Sequence, residues 1–188
     1  MHTAYIGMGA NLPSWAGPPE ATLAAAAKRL ESLGRIVGRS SLYSTMPVGL
    51  REQPRFVNAV VALETELGPR ALLAALLVIE LEFGRDRSAQ IANGPRTLDL
   101  DILLFDNVRI NEPGLEIPHP RLAERAFVLI PLCEIAPHAL DPRTGKTVTQ
   151  LLHGLFPNSA GESGAVVQIQ CDDWRAGVGS GDTGSSSP

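Results

Sequence analysis

Apolar residues along this chain change their period several times, and each change predicts an element. Residues 3–9, "TAYIGMG", form a short apolar run closing on glycines, which predicts a strand ending in a loop. The prolines and glycines of "NLPSWAGPP" predict the loop itself. From Pro19 the period becomes helical: Leu23, Ala26, Ala27, Leu30 and Leu33 recur at helix spacing, with Pro19 in the first turn and Gly34 as the stop. Residues 35–45, "RIVGRSSLYST", alternate and predict one strand. A loop over 46–55 and a strand over 56–66 follow. Residues 68–84 predict a second helix, with Leu72, Leu76, Ile79 and Phe83 as its buried stripe. After a polar loop over 85–96, "TLDLDILLF" (97–105) predicts the fourth strand, ending at a tight turn at 106–107.

The order β-α-β-β-α-β predicts an α+β, ferredoxin-like sandwich: an antiparallel sheet with helices on its faces, the first two sharing one face. C-terminal additions follow: an extended stretch around "IPHPR", short helices near 126–135 and 147–155, and a strand at "VVQI". With 188 residues, one domain over 1–172 is expected. Residues 173–188 are assigned to a Gly/Ser-rich tail, whose text "AGVGSGDTGSSSP" predicts disorder.

Composition narrows the function classes. Apolar residues make up 44% and charged residues 19%, as in ordinary soluble domains. A net charge of -4 gives no support to general nucleic-acid binding. The two cysteines, Cys133 and Cys171, form no C-x-x-C pair, which argues against a zinc ribbon or redox motif. Cys133 is expected to be a buried thiol in the run "FVLIPLCEIA". The N-terminal text carries no secretory pattern, and no apolar run approaches the ~20 residues of a membrane span. A cytoplasmic protein is expected.

The fourth strand carries the chemistry. In a strand, alternate side chains share a face, so Asp99 and Asp101 point one way with Leu103 and Phe105. Leu98, Leu100, Ile102 and Leu104 are expected to point the other way, into the core. Two such charges about 5 Å apart cost roughly 3 kcal/mol at an effective dielectric near 20, so a cation is expected beside them. They are either salt-bridged surface acids or hard-oxygen ligands for a divalent ion such as magnesium. Arg85, Arg87 and Arg96 flank the strand entry, and their forks suit phosphate oxygens. Together these features suit ATP. "RTGKT" (143–147) is no P-loop, because Leu140 stands where its first glycine belongs, and it reads as a hairpin turn. "GMGANL" lacks the third glycine of a dinucleotide fingerprint and reads as turn chemistry. His119 lies between two prolines beside Arg121, placed to contact a phosphate or ribose. Phe56 and Asn58 share a strand face near the stiff loop carrying Thr45, Pro47 and Val48. An aromatic plus an amide suits a flat, nitrogen-rich heterocycle.

The segments "AYIGMGANL", "QPRFVNAVVALET", "GPRTLDLDILLF" and "IPHPRLAERAFVLIPLCEIAP" together resemble the 6-hydroxymethyl-7,8-dihydropterin pyrophosphokinase family, over residues 3–155. The resemblance implies a ferredoxin-like enzyme of folate biosynthesis that moves the pyrophosphoryl group of ATP to the pterin hydroxymethyl group, releasing AMP. It implies two magnesium ions on Asp99 and Asp101, and Arg85 and Arg96 assisting transfer. ATP contacts are implied for Glu80, Arg87, Arg96, Ile102, His119 and Arg125. A pterin pocket is implied at Thr45, Pro47, Val48, Phe56, Asn58 and Phe127, whose two rings would sandwich the substrate. The partners implied are these small molecules, with no nucleic acid or membrane, and a monomer is expected. Phe56 departs from the tyrosine of well-known members, Asn93 from a tryptophan in a loop one residue longer, and Leu77 from a polar residue. Two rivals are weaker. Glycosyltransferases also use Asp-x-Asp, in larger domains, and a ferredoxin-like RNA-binding module would carry basic residues where this strand carries acids.

Overall fold

The computed structural model describes residues 1–47, 52–86, 94–156 and 166–175. Strand β1 (His2–Ala10) sends Ala4, Ile6, Met8 and Ala10 into one core. Helix α1 (Pro19–Leu30) begins at its proline and buries Leu23, Ala26, Ala27 and Leu30 on the same side. Residues 35–45 form two strands, β2 (Arg35–Arg39) and β3 (Leu42–Thr45), where one was expected. Both pair with β4 (Phe56–Thr65), but Arg39 faces Val61 while Tyr43 faces Asn58, so residues 40–42 oppose only 59–60. Ser40 causes the break. Its N–H donates to the Val60 carbonyl at 2.9 Å, and its hydroxyl accepts from the Val60 N–H at 2.9 Å. A side chain has thus taken one ladder position, and the strand bulges.

Helix α2 (Pro69–Glu82) buries Leu72, Leu76 and Ile79, with Phe83 just past its end, as its period requires. Strand β5 (Asp99–Phe105) pairs with β1, with a slip: Tyr5 faces Leu104 and Ile6 faces Ile102. Leu103 is the extra residue. Leu98, Leu100 and Ile102 therefore enter the first core as expected, but Leu104 turns with Leu103 to the opposite face and Phe105 returns to the first core. The alternation predicted for Leu104 and Phe105 is reversed by this bulge.

Beyond β5 come a small hairpin, β6 (Ile110–Glu112) and β7 (Leu115–Ile117), and helix α3 (Ala126–Ile135). A second hairpin, β8 (Leu140–Asp141) and β9 (Lys146–Thr147), contains the "RTGKT" turn, where Gly145 takes φ 67°. Helix α4 (Val148–Leu155) starts at a capping box between Thr147 and Gln150. Strand β10 (Val166–Ile169) and helix α5 (Asp172–Arg175) complete the described chain. Trp174 is buried in the first core, so the boundary expected after residue 172 falls inside α5. Residues 176–188, where disorder was expected, lie outside the described residues.

The sheet order is β10-β3-β4-β1-β5, with β2 also on β4 and every pairing antiparallel. This is the ferredoxin-like arrangement. Helices α1 and α2 cover one face over the first core, and α3 and α4 build a second core with Val60, Leu103 and Leu104 on the other. Cys133, expected to be buried, is only partly so, 3.6 Å from the Thr149 hydroxyl. Among the described residues no helix is long and apolar enough to cross a membrane.

Gly34 was expected as a helix stop, and the fold needs it for a stricter reason. A Cβ there would lie 2.0 Å from the Glu64 carbonyl oxygen of β4, backbone that cannot move aside cheaply. Gly34→Ala should lower stability by about 2–3 kcal/mol, read as a lower urea midpoint at unchanged slope.

Candidate active site

The second sheet face is divided. Helices α3 and α4 cover one part, and the rest opens as a cleft of about 750 Å³. Strand register builds its floor. One row runs Asn58, Gly9, Asp99 across β4, β1 and β5, and the next runs Val60, Gly7, Asp101. Each carboxylate therefore has a glycine as its cross-strand neighbour. These glycines, expected in a turn, lie within β1, which continues to Ala10. A Cβ on Gly9 would sit 3.1 Å from Asn58 Oδ1, and one on Gly7 would sit 3.1 Å from a Leu103 methyl. Glycines two apart in a strand were the available signal, since they mark close approach of something to the backbone.

Asp99 is held from two sides. Arg96 Nη1 lies 2.9 Å from its Oδ2, and Arg85 Nη1 contacts its Oδ1. Arg85 is buried behind the strand, where it also donates to Glu80 Oε1 at 2.9 Å and the Leu98 carbonyl at 3.0 Å. Burial opposes its charge, but Asp99, Glu80 and Asp101 outweigh that and raise its pKa further. Glu80, also buried, accepts from the Leu100 N–H at 2.8 Å. Neither Arg85 nor Glu80 lines the cleft, and the Ile102 side chain lies in the first core on the opposite face.

Among the described residues Asp101 has no such clamp. His119 Nε2 lies 3.9 Å from its Oδ2. Burial, then the charge of Asp99, push its pKa up to about 7. His119 is pushed down to about 4 by burial and by Arg125, so its ring is neutral at pH 7. Its Nδ1 accepts from the Arg121 N–H at 3.1 Å, which leaves the proton on Nε2, facing Asp101. Arg121 and Arg125 line the cleft beside Arg96, so a cationic rim surrounds a floor with two carboxylates.

The other half of the cleft is aromatic and amide. Phe56, Asn58, Thr45 and Phe127 all line it. The Arg96 guanidinium lies 5.1 Å from the Phe56 ring centre, and that of Arg125 lies 5.6 Å from the Phe127 ring centre. Asn58 Nδ2 donates to the Thr45 hydroxyl at 2.8 Å, which turns Oδ1 toward Gly9. Pro47 is buried next to Thr45 and Met46 in the chain, and Met46, for which no role was expected, lines the wall. Val48, Arg87 and Asn93 lie outside the described residues. Asn11 was also missed. Its Oδ1 accepts from the Arg96 N–H at 2.8 Å, and its Nδ2 donates to Gln53 and the Pro54 carbonyl, each at 3.0 Å. It ties the strand entry carrying Arg96 to the segment leading into Phe56.

The donor set suits a hard divalent ion. Asp99 and Asp101 offer carboxylate oxygens on one face, and Asp101 carries a charge that its surroundings disfavour without a cation. Among the described residues no group of three or more His, Cys, Asp or Glu is placed to hold a metal ion, so the two aspartates are the carboxylate donors on this face.

Paired carboxylates, an arginine rim and an aromatic–amide wall in one cleft of a ferredoxin-like sandwich suit a site that receives a phosphate-bearing and a heterocyclic molecule side by side. Residues 5–137 match the 7,8-dihydro-6-hydroxymethylpterin-pyrophosphokinase family. The chain is 45% identical over 150 residues to the 2-amino-4-hydroxy-6-hydroxymethyldihydropteridine pyrophosphokinase of Pseudomonas aeruginosa, covering 79% of this chain and 88% of that one. It is 41% identical to the Methylorubrum extorquens protein of the same name, over 84% of this chain and 96% of that one. The fold matches the crystal structure of Plasmodium falciparum HPPK-DHPS with pteroate at a TM-score of 0.68 and 15% identity. That match covers 89% of this chain and 48% of the longer solved chain. The chain belongs to the 7,8-dihydro-6-hydroxymethylpterin-pyrophosphokinase family, and it is a pyrophosphokinase of folate biosynthesis.

The Asp101 environment sets a pH dependence. A carboxyl whose folded pKa is raised stabilises the fold only while protonated, so its contribution is lost as pH rises through the folded value. In chelator-treated protein, Asp101→Asn should match the parent near pH 4. It should become progressively more stable than the parent up to about pH 7, with a constant gap above that. Thermal unfolding across the range checks this, and parallel profiles would refute it.

Proposed function

We propose that the cleft binds ATP and 6-hydroxymethyl-7,8-dihydropterin together, and that Asp99 and Asp101 hold two magnesium ions there. When bound, these ions supply charge neutralisation for the ATP phosphates and the pterin hydroxyl. The observation that carries the reading is the shared face: both aspartates, Arg96, Arg121, Arg125 and the Phe56–Asn58–Phe127 wall open into one cleft.

The residues divide the work. Arg96, Arg121 and Arg125 face the phosphates and neutralise charge that develops on transfer. His119, neutral and with its proton on Nε2, donates to a phosphate or ribose oxygen. Phe56 and Phe127 offer ring faces to the pterin, and Asn58 Oδ1 accepts from its N–H edge. Thr45 and Pro47 hold this wall, and Val48 is assigned to it as well. Arg85 and Glu80 act through Asp99 and the β5 backbone, as positioning residues. Arg87 and the backbone of Ile102 are assigned to the nucleotide.

In the reaction, the pterin hydroxymethyl oxygen attacks the β-phosphorus of ATP. A new O–P bond forms, the bond between the β-phosphorus and the α,β-bridging oxygen breaks, AMP leaves with that electron pair, and the hydroxyl proton is released. Holding both substrates in line makes the attack effectively unimolecular and lowers its barrier. The protein is expected to act as a monomer in the cytoplasm.

Incubation with ATP, magnesium and the reduced hydroxymethylpterin tests the reading. AMP should appear one-for-one with pterin consumed; ADP, or no turnover, refutes it. Asp99→Ala and Asp101→Ala should each lower kcat by about a thousandfold or more with the circular dichroism spectrum retained. Retained activity would remove the metal assignment. Gly9→Ala, which crowds Asn58 Oδ1, should raise the pterin KM about tenfold with the ATP KM unchanged, as steady-state rates at varied pterin would show.

A further inference from the structure

Strand β10 and helix α5 lie beyond residues 5–137, the part of the chain matched to the family. β10 pairs with β3, the strand that carries Thr45, and α5 reaches the junction of β2 and β3 through Trp174. β10 pairs with the whole of β3, with Val166 facing Thr45, Val167 facing Ser44, Gln168 facing Tyr43 and Ile169 facing Leu42. Without it, four-residue β3 would be a sheet edge, with its outer N–H and C=O groups unpaired.

The segment is anchored at the bulge. Trp174 Nε1 donates to the Ser40 carbonyl at 2.7 Å, and Gln168 Nε2 donates to the Ser41 hydroxyl at 2.8 Å. Arg39 Nη1 donates to the Trp174 carbonyl at 3.1 Å, and its guanidinium lies 4.8 Å from the centre of the Trp174 ring. These bonds grip residues 39–41, where the chain changes register against β4. That register fixes how far β3 is displaced along β4, and hence where Thr45 sits. Thr45 in turn accepts the Asn58 amide at 2.8 Å in the cleft.

We propose that residues 166–175 are a positioning element for the heterocycle half of the cleft. By holding β3 in its shifted register they place the Thr45 hydroxyl where it orients Asn58. The phosphate half stands on β5, which β10 does not touch in the sheet. The kinetic consequence rests on the pterin pyrophosphokinase reading; the structural consequence does not.

The test is Trp174→Ala in the full chain, read in two ways. Steady-state kinetics should show the pterin KM raised about tenfold, with ATP KM and kcat within about twofold of the parent. Hydrogen exchange should speed up at the amides of 42–45 and stay unchanged in β1 and β5. Equal shifts in both KM values, or a loss confined to kcat, would overturn the proposal. So would unchanged exchange at 42–45, whatever the activity. If the parent itself shows no turnover, the functional reading fails and exchange alone decides the positioning role. Should Trp174→Ala not fold, Trp174→Phe keeps one aromatic ring in the core and loses the indole N–H with its bond to Ser40. The same two measurements then apply, with a pterin KM shift of about threefold expected.

Discussion

The site depends on one buried cation. Two carboxylates two residues apart on an edge strand repel each other, and an edge strand lacks a neighbour to hold it straight. Arg85 addresses both problems from behind the sheet. It neutralises Asp99, bonds the Leu98 carbonyl on the strand's outer edge, and is paired with Glu80, which takes the Leu100 N–H. The His119 N–H covers the Leu103 carbonyl further along at 2.9 Å. β5 thus keeps its geometry while its acids face the cleft. A buried ion pair of this kind adds little net stability, and its value lies in fixing one arrangement.

The division of the second sheet face follows from the same strands. Where β1, β4 and β5 carry Tyr5, Val60, Leu103 and Leu104, helices α3 and α4 pack and a core forms. Where they carry Gly7, Gly9, Asn58 and the two aspartates, small and polar residues replace the apolar stripe that a helix would cover, and the face stays open. Core and site are one surface whose character changes along the strands. Phe127, on the first turn of α3, stands at the border and belongs partly to each.

Much of this was legible in the sequence, because period encodes face. The helix stripes of α1 and α2, the shared face of Asp99 and Asp101, and the pairing of Phe56 with Asn58 all follow from spacing alone. The bulges did not. One arises where the Ser40 hydroxyl replaces a ladder bond, the other where Leu103 is inserted opposite β1, and both are decided by tertiary contact. Each moves later side chains to a new face, which is why Leu104 and Phe105 were misplaced. Asn11 and Trp174 escaped for a related reason. Their partners are distant in sequence, and a single polar or aromatic residue carries no periodic signal. The arginines near "GPRTLDLD" looked alike in sequence, yet burial separates Arg85, behind the strand, from Arg96, in the cleft.

The bond between Asn58 and Thr45 has a consequence for binding entropy. An amide side chain free to rotate would present either its donor or its acceptor to an incoming ring, and would lose that freedom on each encounter. Here the rotation is arrested before any ligand arrives, because Nδ2 is already engaged by the Thr45 hydroxyl. The acceptor is preorganised, and its ordering cost belongs to folding rather than to binding. Discrimination between heterocycles with a donor edge and those with an acceptor edge is therefore built into the folded chain.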